Sequence, residues 1–335
     1  MKTLFLPFAF LLLFLSSCSR DEVLPDEKKL MNSVDVYVAG SEFNQACYWK
    51  NNVKHVLPFG DNISLSKIII ENNNIFVFGS SYQNGKSFFW KNNVKYDIEQ
   101  YLNIAAGSNY TITDFTVSND ETYITGMFKN VTAPPALQYE LCFWKNNVKN
   151  IVYQNSNPVF PDEIAYFDNH VYISSSFPVG YFIDNTFFPV NASWMHGFVK
   201  TNQGVLVLYN KHETTGPNST FYYNNTNTNV NYFVDTISNP NLSEGKFITD
   251  KYTNDLYISS SYLNNYYYKN NNHIIVPVDN DYYVISDMFV LNNNVYLIKT
   301  KQNSYKVYIN NVITQSITGT SIPNGSFRSI FVVQN

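Results

Sequence analysis

The sequence predicts an all-β fold, a seven-bladed β-propeller built from four-stranded antiparallel blades. A motif recurs about every 40 residues, which is the usual length of one propeller blade. Its apolar runs are short, rich in aromatic and β-branched residues, and interrupted by Asn, Asp and Gly, as expected for strands and turns. The most regular part of the motif is Trp-Lys-Asn-Asn followed by Val-Lys, which begins at Trp49, Trp90 and Trp144.

An aromatic residue marks the same place in every repeat, even where the rest of the motif is lost. The seven markers are Trp49, Trp90, Trp144, Phe182, Tyr223, Tyr268 and Tyr308.

The second repeat shows the expected order of strands most clearly. Strand a is predicted over Ser66–Glu71 and strand b over Ile75–Gly79. Strand c follows at Ser87–Lys91, and an Asn-Asn turn leads into strand d at Val94–Ile98. Asn tolerates positive φ better than other non-glycine residues, so Asn-Asn can form a two-residue hairpin turn.

The two ends of the chain indicate how the ring closes. Phe327–Val333 resembles a strand a with no strand b after it, whereas Val34–Gly40 resembles a strand b with no strand a before it. Together they would complete one blade, and six internal repeats bring the count to seven. Closure removes exposed sheet edges. Six or eight blades are the alternatives, because the repeat around residues 194–236 is the weakest.

Residues 1–17 are predicted to be a lipoprotein signal peptide rather than part of the fold. Lys2 precedes an apolar segment, Leu4–Leu15, that is too short to span a bilayer. The segment ends in Leu15-Ser16-Ser17-Cys18, which resembles the bacterial lipobox. That resemblance implies cleavage before Cys18 and lipid attachment to it. The residues that follow are charged and lack a strand pattern, so residues 18–33 are predicted to be a tether ahead of a single propeller domain, 34–335. Asp21 and Glu22 resemble a surface-export signal of Bacteroidota lipoproteins.

Composition argues against several classes of partner and site. The formal net charge is −4, whereas nucleic-acid binding needs a concentrated basic surface. Cys47 and Cys142 occupy equivalent places in non-adjacent blades, so two buried free thiols are expected instead of a disulfide. The five histidines show no metal-binding spacing, and no metal or cofactor is predicted.

No linear catalytic motif is present, but propeller enzymes can assemble carboxylates from several blades. The candidates are Asp114, Asp120, Asp162, Glu163 and Asp168, and nothing in the sequence pairs them. For each, a turn or surface position is the simpler interpretation.

Loop lengths predict which face of the propeller carries function. The a–b and c–d turns share one face and are short and Asn-rich, while the longer b–c and d–a connections lie on the other face. Binding sites usually occupy variable loops on a rigid scaffold, so the face formed by the b–c and d–a connections is the predicted functional face. The candidate binding residues on it are Tyr101, Phe128, Tyr139, Glu140, His212 and Tyr262.

The repeated Tyr-Trp-Lys-Asn-Asn and Val-Tyr-Val-Ala-Gly blocks resemble those of exported Bacteroidota lipoproteins with YWKNG and VYVAG repeats. That family has no established activity, so the resemblance implies a propeller fold and an exported location. The leading expectation is an outer-membrane, surface-exposed lipoprotein that binds an extracellular glycan or protein. The alternatives are a polysaccharide-acting glycosidase or lyase, and a structural subunit of an envelope complex.

Overall fold

The computed structural model describes residues 34–212, 219–237, 245–260, 266–276, 282, 284–301, 304–318 and 325–335. It confirms the predicted fold class, because the strands form seven four-stranded antiparallel sheets arranged as a β-propeller. The predicted signal peptide, Cys18, the tether and Tyr262 lie outside the described residues. The propeller corresponds to one compact unit, Val36–Val332.

Each blade runs from strand a to strand d, and strand a lies nearest the axis. In blade one, strands a to d are Gly325–Gln334, Val34–Glu42, Gln45–Lys50 and Val53–Asp61. In blade two they are Ile63–Glu71, Asn74–Ser81, Ser87–Lys91 and Val94–Asp97. In blade three they are Asn109–Ser118, Glu121–Lys129, Tyr139–Lys145 and Val148–Asn155. In blade four they are Phe160–Phe167, His170–Phe177, Val179–Ile183 and Thr186–Pro189. In blade five they are Trp194–Thr201, Gly204–His212, Ser219–Asn225 and Val230–Ile237. In blade six they are Gly245–Thr249, Leu256–Ser260, Tyr266–Lys269 and Asn272–Ile275. In blade seven they are Val284–Leu291, Asn294–Lys301, Ser304–Ile309 and Val312–Thr318. Two short helices, Ile98–Tyr101 and the 3₁₀ turn Pro135–Leu137, lie in connections.

The ring closes as the sequence predicts, since the last strand of the chain is strand a of blade one. The hydroxyls of Ser41 and Ser326 are hydrogen-bonded at 2.9 Å inside this blade. Gly40 permits the close approach of the two strands, because a Cβ there would lie 1.8 Å from the Ser326 carbonyl oxygen. The weakest repeat in the sequence is also a complete blade, the fifth.

In four blades an Asn-Asn pair forms a tight c–d turn with both residues at positive φ, and in blade three only the first residue of the pair, Asn146, has positive φ. In blade two, φ is 50° at Asn92 and 65° at Asn93, which suits a type I′ hairpin turn. The repeated motif therefore has a local role in the scaffold, and its tryptophan is a packing residue. Trp90 is completely buried and Trp144 nearly so.

The apolar strands are buried on both faces because neighbouring blades pack against each other. Phe76 and Phe89 of blade two share one core cluster with Phe115 and Trp144 of blade three. Phe78 and Phe115 stack with ring centroids 5.7 Å apart. Burying a ring of this kind contributes about 1.5–3 kcal/mol, which accounts for the aromatic-rich composition.

Hydrogen bonds between neighbouring blades also connect their a–b turns. These turns lie on the face shared by the a–b and c–d turns, which we call the turn face. Asp120 of blade three accepts from the Asn74 amide of blade two at 2.8 Å. Asp250 of blade six accepts from the backbone N–H groups of Asn292 at 3.1 Å and Asn293 at 2.5 Å. These contacts use the polar groups of the turn face for structure.

Candidate functional site

A ring of equivalent residues surrounds the axis, one from strand a of each blade. Strands a of neighbouring blades contact one another, so these positions face a common centre. In five blades the a–b ladder shifts register at this position. We call this set the axial ring; in the order of blades one to seven it consists of Ser329, Lys67, Asp114, Glu163, Gly197, Lys246 and Asp287.

Several members of the axial ring bind the backbone of the next blade. The Ser329 hydroxyl accepts from the N–H of Ile68, the residue after Lys67, at 3.3 Å. The same contact recurs between Asp114 Oδ2 and the Ile164 N–H at 3.0 Å, and between Asp287 Oδ2 and the Ile330 N–H at 2.8 Å. A register shift leaves a backbone N–H without a partner in the a–b ladder, and a polar side chain of the axial ring can accept a hydrogen bond from it.

Both lysines of the axial ring are paired with an aspartate. Lys67 Nζ lies 2.7 Å from Asp114 Oδ1 and 2.9 Å from Oδ2. Lys246 Nζ lies 3.4 Å from Asp287 Oδ1. The Asp287 charge raises the pKa of Lys246 above its usual range, which keeps this lysine charged. The Lys246 side chain is 40% exposed, as expected for a residue that faces the channel along the propeller axis.

Glu163 is the exception in the axial ring. Among the described residues, none donates a hydrogen bond to its carboxylate, although its backbone N–H donates to the Ser174 hydroxyl at 3.0 Å. The carboxylate leans over Gly197, where a Cβ would lie 2.3 Å from Glu163 Oε2. Blade five therefore contributes no side chain to the axial ring, and the Glu163 carboxylate takes up the space that a side chain of residue 197 would fill.

The environment of Glu163 raises its pKa to about 7. Burial is the main cause, since it disfavours the charged form, and the nearby Asp114 carboxylate adds to it. Lys67 and Lys246 act in the opposite direction but do not cancel the effect. A carboxyl group of this kind exchanges its proton near neutral pH, which suits either ligand binding or acid–base chemistry.

Asp162 extends this acidic region toward the predicted functional face. It precedes Glu163 in the same bulge of strand a, and its Oδ2 accepts from the Ser176 hydroxyl at 2.7 Å. Burial raises its pKa to about 6, and the hydrogen bonds from Ser176 limit the rise. Blade four thus has two adjacent carboxyl groups that gain or lose protons more readily near neutral pH than ordinary ones.

Exposed aromatic residues lie at the same end of blades four and five. Phe160 begins strand a of blade four and pairs directly with Phe177 at the end of strand b. Trp194 begins strand a of blade five. Their exposed fractions are 54% for Phe160, 42% for Phe177 and 51% for Trp194. All three lie on the face of the b–c and d–a connections, and we call them the aromatic rim.

The structure places the sequence-predicted binding residues in two different environments. Phe128, Tyr139 and Glu140 come together at the b–c end of blade three. Glu140 is 1% exposed and binds Lys149 Nζ at 2.5 Å, and that ammonium also lies 3.7 Å from the centroid of the Phe128 ring. The Lys129 ammonium lies over the Tyr139 ring, 5.3 Å from the centroid of that ring.

Tyr101 belongs to a separate environment. It ends the short helix, packs edge-on against Phe89 at 5.0 Å, and its hydroxyl is hydrogen-bonded to Thr122 Oγ1 at 3.0 Å. His212 ends strand b of blade five, but its side chain lies outside the described part of the chain, as does all of Tyr262.

The five candidate carboxylates also separate. Asp114, Asp162 and Glu163 lie in or beside the axial ring, whereas Asp120 and Asp168 lie in a–b turns on the opposite face. Asp168 is paired there with Lys200. No group of three or more His, Cys, Asp or Glu side chains that could hold a metal ion occurs among the described residues.

Sequence reasoning missed Lys67, Lys246 and Asp287, and a usable signal for them existed. Each is a single charged residue inside an otherwise apolar strand a, as in Ser-Lys-Ile, Gly-Lys-Phe and Ser-Asp-Met. Asp114 has the same context, and Glu163 differs in that a second acidic residue, Asp162, precedes it. A charge that recurs at the repeat period within an apolar strand indicates a position facing the propeller axis.

None of the helices in the described residues is long and apolar enough to cross a membrane. No protein-family model matches the chain, and the comparison with curated proteins gives no match.

Solved structures do resemble this chain. One is a periplasmic gluconolactonase from Pseudomonas aeruginosa, with 10% identity over 90% of this chain and 99% of that chain, and a TM-score of 0.52. A dihydro-heme d1 dehydrogenase is similar at 9% identity over 88% and 74% of the two chains, with a TM-score of 0.50. An oligogalacturonate lyase in complex with manganese matches at 9% identity over 82% and 90%, with a TM-score of 0.48. At this level of identity the comparisons show the propeller fold alone.

Proposed function

We propose that the protein is a surface-exposed lipoprotein of the bacterial outer membrane that binds an extracellular glycan on the face of the b–c and d–a connections. The observation that carries this proposal is the aromatic rim, in which three exposed rings lie at the same end of two neighbouring blades as the carboxyl groups of Asp162 and Glu163. Aromatic rings offer flat apolar surfaces to the C–H faces of sugars. Carboxylates accept hydrogen bonds from sugar hydroxyls.

The opposite face supports binding much less well. Its turns are short, and Asp120 and Asp250 are used in bonds between blades. Tyr252 is an exposed aromatic residue there, with 52% exposure, but it lies in the a–b turn of blade six and away from the axial ring. It therefore provides a matched control for the aromatic rim.

The binding proposal is tested with a glycan array and a pull-down screen using the form that starts after Lys29. We expect binding to one class of glycan, and we expect Trp194→Ala to weaken it by about tenfold or more, as for loss of a central aromatic anchor. Tyr252→Ala should bind like the parent. Loss of binding in both variants, or in neither, would contradict the assignment of the face. A protein hit with no sugar hit would show that the partner is a protein.

The membrane anchor rests on Leu15-Ser16-Ser17-Cys18 behind a short apolar segment. Several acyl chains on one cysteine anchor a protein stably, because each buried CH₂ contributes about 0.8 kcal/mol. Replacing Cys18 with Ser should release the chain from outer-membrane fractions. Digestion of intact cells by an added protease should remove the parent protein, and protection from that protease would instead indicate a periplasmic orientation.

A second candidate function is cleavage of a polysaccharide, and the raised pKa values of Asp162 and Glu163 favour it. A general acid is most effective when its pKa lies near the working pH. New reducing ends or unsaturated products released from a bound glycan, and lost in Glu163→Gln, would support an enzyme. Binding without product over long incubation would leave the binding function alone.

A further inference from the structure

We propose that the axial ring at Gly197 carries a subsite for two neighbouring hydroxyl groups of a sugar, held between Glu163 and Lys246. This inference rests on the proposed glycan-binding function and names the chemistry that the channel recognises. Six of the seven ring positions carry a polar side chain, and Gly197 alone has none. The Glu163 carboxylate of blade four lies over Gly197, so this part of the axial ring presents a carboxylate with no side chain of blade five beside it.

Glu163 and Lys246 differ from the other charged residues of the axial ring in the hydrogen bonds and ion pairs that they make. The Glu163 carboxylate leans over Gly197 and accepts no hydrogen bond from the described residues. On the other side, strand a of blade six contacts strand a of blade five and supplies Lys246. Because the Glu163 carboxylate lies at the ring position of blade five, the next position of the axial ring beside it is that of Lys246.

The chemistry of the pair defines the ligand. An ionised carboxylate only accepts hydrogen bonds, and an ammonium only donates them, with three N–H groups available. Among the described residues, Lys246 makes one ion pair, in which its Nζ lies 3.4 Å from Asp287 Oδ1. One hydroxyl can donate to Glu163 while the adjacent hydroxyl accepts from Lys246, so a vicinal diol satisfies both at once. A simple cation or anion would satisfy only one of them.

The subsite is continuous with the aromatic rim in sequence and in fold. Glu163 follows Phe160 on strand a of blade four, and Gly197 follows Trp194 on strand a of blade five; in both strands the ring residue comes three positions after the aromatic one. A sugar ring placed against the rim can therefore direct its hydroxyl groups toward the channel.

The test is isothermal titration calorimetry on the full chain in detergent, with methyl α-mannoside, methyl β-galactoside and methyl β-glucoside as probes. At least one should bind in the millimolar range, and the 3-deoxy analogue of that glycoside, which has no adjacent hydroxyl pair, should bind about tenfold more weakly. Glu163→Gln and Lys246→Met should each weaken binding by about tenfold or more, because each variant loses a hydrogen bond to a charged group. Asp168→Asn, which neutralises an acid on the turn face, should have no effect.

Gly197→Ala provides a steric variant, because its new methyl group would displace the Glu163 carboxylate. It should lower glycoside affinity. It should cost less thermal stability than a clash with buried backbone would, because the displaced atom is the end of a flexible side chain. Equal binding of the deoxy analogue, or full binding by Glu163→Gln and Lys246→Met, would overturn the proposal. Binding of free glycine with no binding of glycosides would also overturn it, in favour of a zwitterion site.

The two proposals can fail separately. If the chain binds polysaccharide through Trp194 but binds none of the three glycosides, the subsite inference is wrong and the proposed function stands. If neither polysaccharide nor glycoside binds, the proposed function itself is wrong.

Discussion

Asn92 and Ile75 exchange two hydrogen bonds across blade two. The Asn92 backbone N–H donates to the Ile75 carbonyl oxygen at 2.9 Å, and Asn92 Oδ1 accepts from the Ile75 N–H at 2.9 Å. The c–d turn thereby binds the start of strand b. The same pair of bonds joins Asn51 with Val36, Asn146 with Thr122, Asp184 with Val171, Asn270 with Leu256 and Asn310 with Val295.

This contact explains why the first turn residue of the motif is Asn. The position needs positive φ, which Gly and Asn both allow, but only a residue with a short side-chain acceptor can also bind the N–H of strand b. Asp184 shows that an aspartate can serve in the same way.

Replacing Asn92 separates the two requirements. Asn92→Gly keeps the turn but loses both side-chain hydrogen bonds of Asn92, one from the Ile75 N–H and one to Asn74 Oδ1 at 2.6 Å, so we expect a loss of about 1–2 kcal/mol in the free energy of unfolding. Asn92→Ala also places a non-glycine residue at positive φ and should lose roughly 1–2 kcal/mol more. Asn92→Asp keeps only the bond from Ile75 and should fall between the parent and the glycine variant. Urea unfolding of the four proteins measures these values, and an alanine variant as stable as the glycine variant would contradict this account.

Gly40 is expected to be essential for ring closure. A methyl group at this position would collide with the backbone of the terminal strand, and backbone cannot move aside as a side chain can. Gly40→Ala should cost about 2 kcal/mol or more, in the range of overpacked sites. It should also make the C-terminal strand sensitive to limited proteolysis.

Gly126 in blade three is the matched control, since a Cβ there would lie 2.1 Å from the Thr111 carbonyl oxygen. Gly126→Ala should lower stability without releasing the C-terminal strand, because blade three is continuous in the chain. Equal protease sensitivity in both variants would argue against a special role for closure.

Glu163 should make stability depend on pH. Its folded-state pKa of about 7 exceeds the ordinary value of 4.5, so the folded protein holds this proton more tightly than the unfolded chain. The associated stabilisation is complete below about pH 4.5 and is lost as the pH rises through 7. The groups that face Glu163 are Asp114, Asp162, Lys67 and Lys246.

Urea midpoints at pH 5 and pH 8 test this expectation. The parent should lose more stability between these values than Glu163→Gln, which cannot ionise. Asp162→Asn should remove a similar dependence in a lower window, between 3.8 and about 6. Parallel curves for the parent and Glu163→Gln would show that the carboxyl group is not buried as described.

Cys47 and Cys142 should be inert thiols in the native protein. Both are free and completely buried, and burial raises the pKa of each to about 12, so little reactive thiolate exists at neutral pH. In the form that starts after Lys29, a coloured thiol reagent should modify neither residue until denaturant is added, and then both. Rapid modification without denaturant would contradict the packing around strand c.

The sequence by itself determined the blade architecture, the strand order and the way the ring closes. These features follow from local chemistry repeated along the chain: apolar strands of fixed length, Asn-rich turns that accept positive φ, and terminal strands that complete each other. The burial of the three motif tryptophans and of both thiols follows from the same repeat. The choice of the face with the longer connections as the functional one remains a prediction, and the aromatic rim supports it.

Only the tertiary structure decided which residues meet at the axis. Lys67, Asp114, Glu163, Lys246 and Asp287 are 41 or more residues apart in sequence from one to the next, and only the circular arrangement of strands a brings them together. Phe160, Phe177 and Trp194 likewise form a rim only because blades four and five are neighbours. Periodicity predicts that equivalent positions exist, but pairing and charge compensation among them depend on distances in space. Only the tertiary structure shows that the Glu163 carboxylate of blade four lies over Gly197 of blade five, because this contact depends on how neighbouring blades pack.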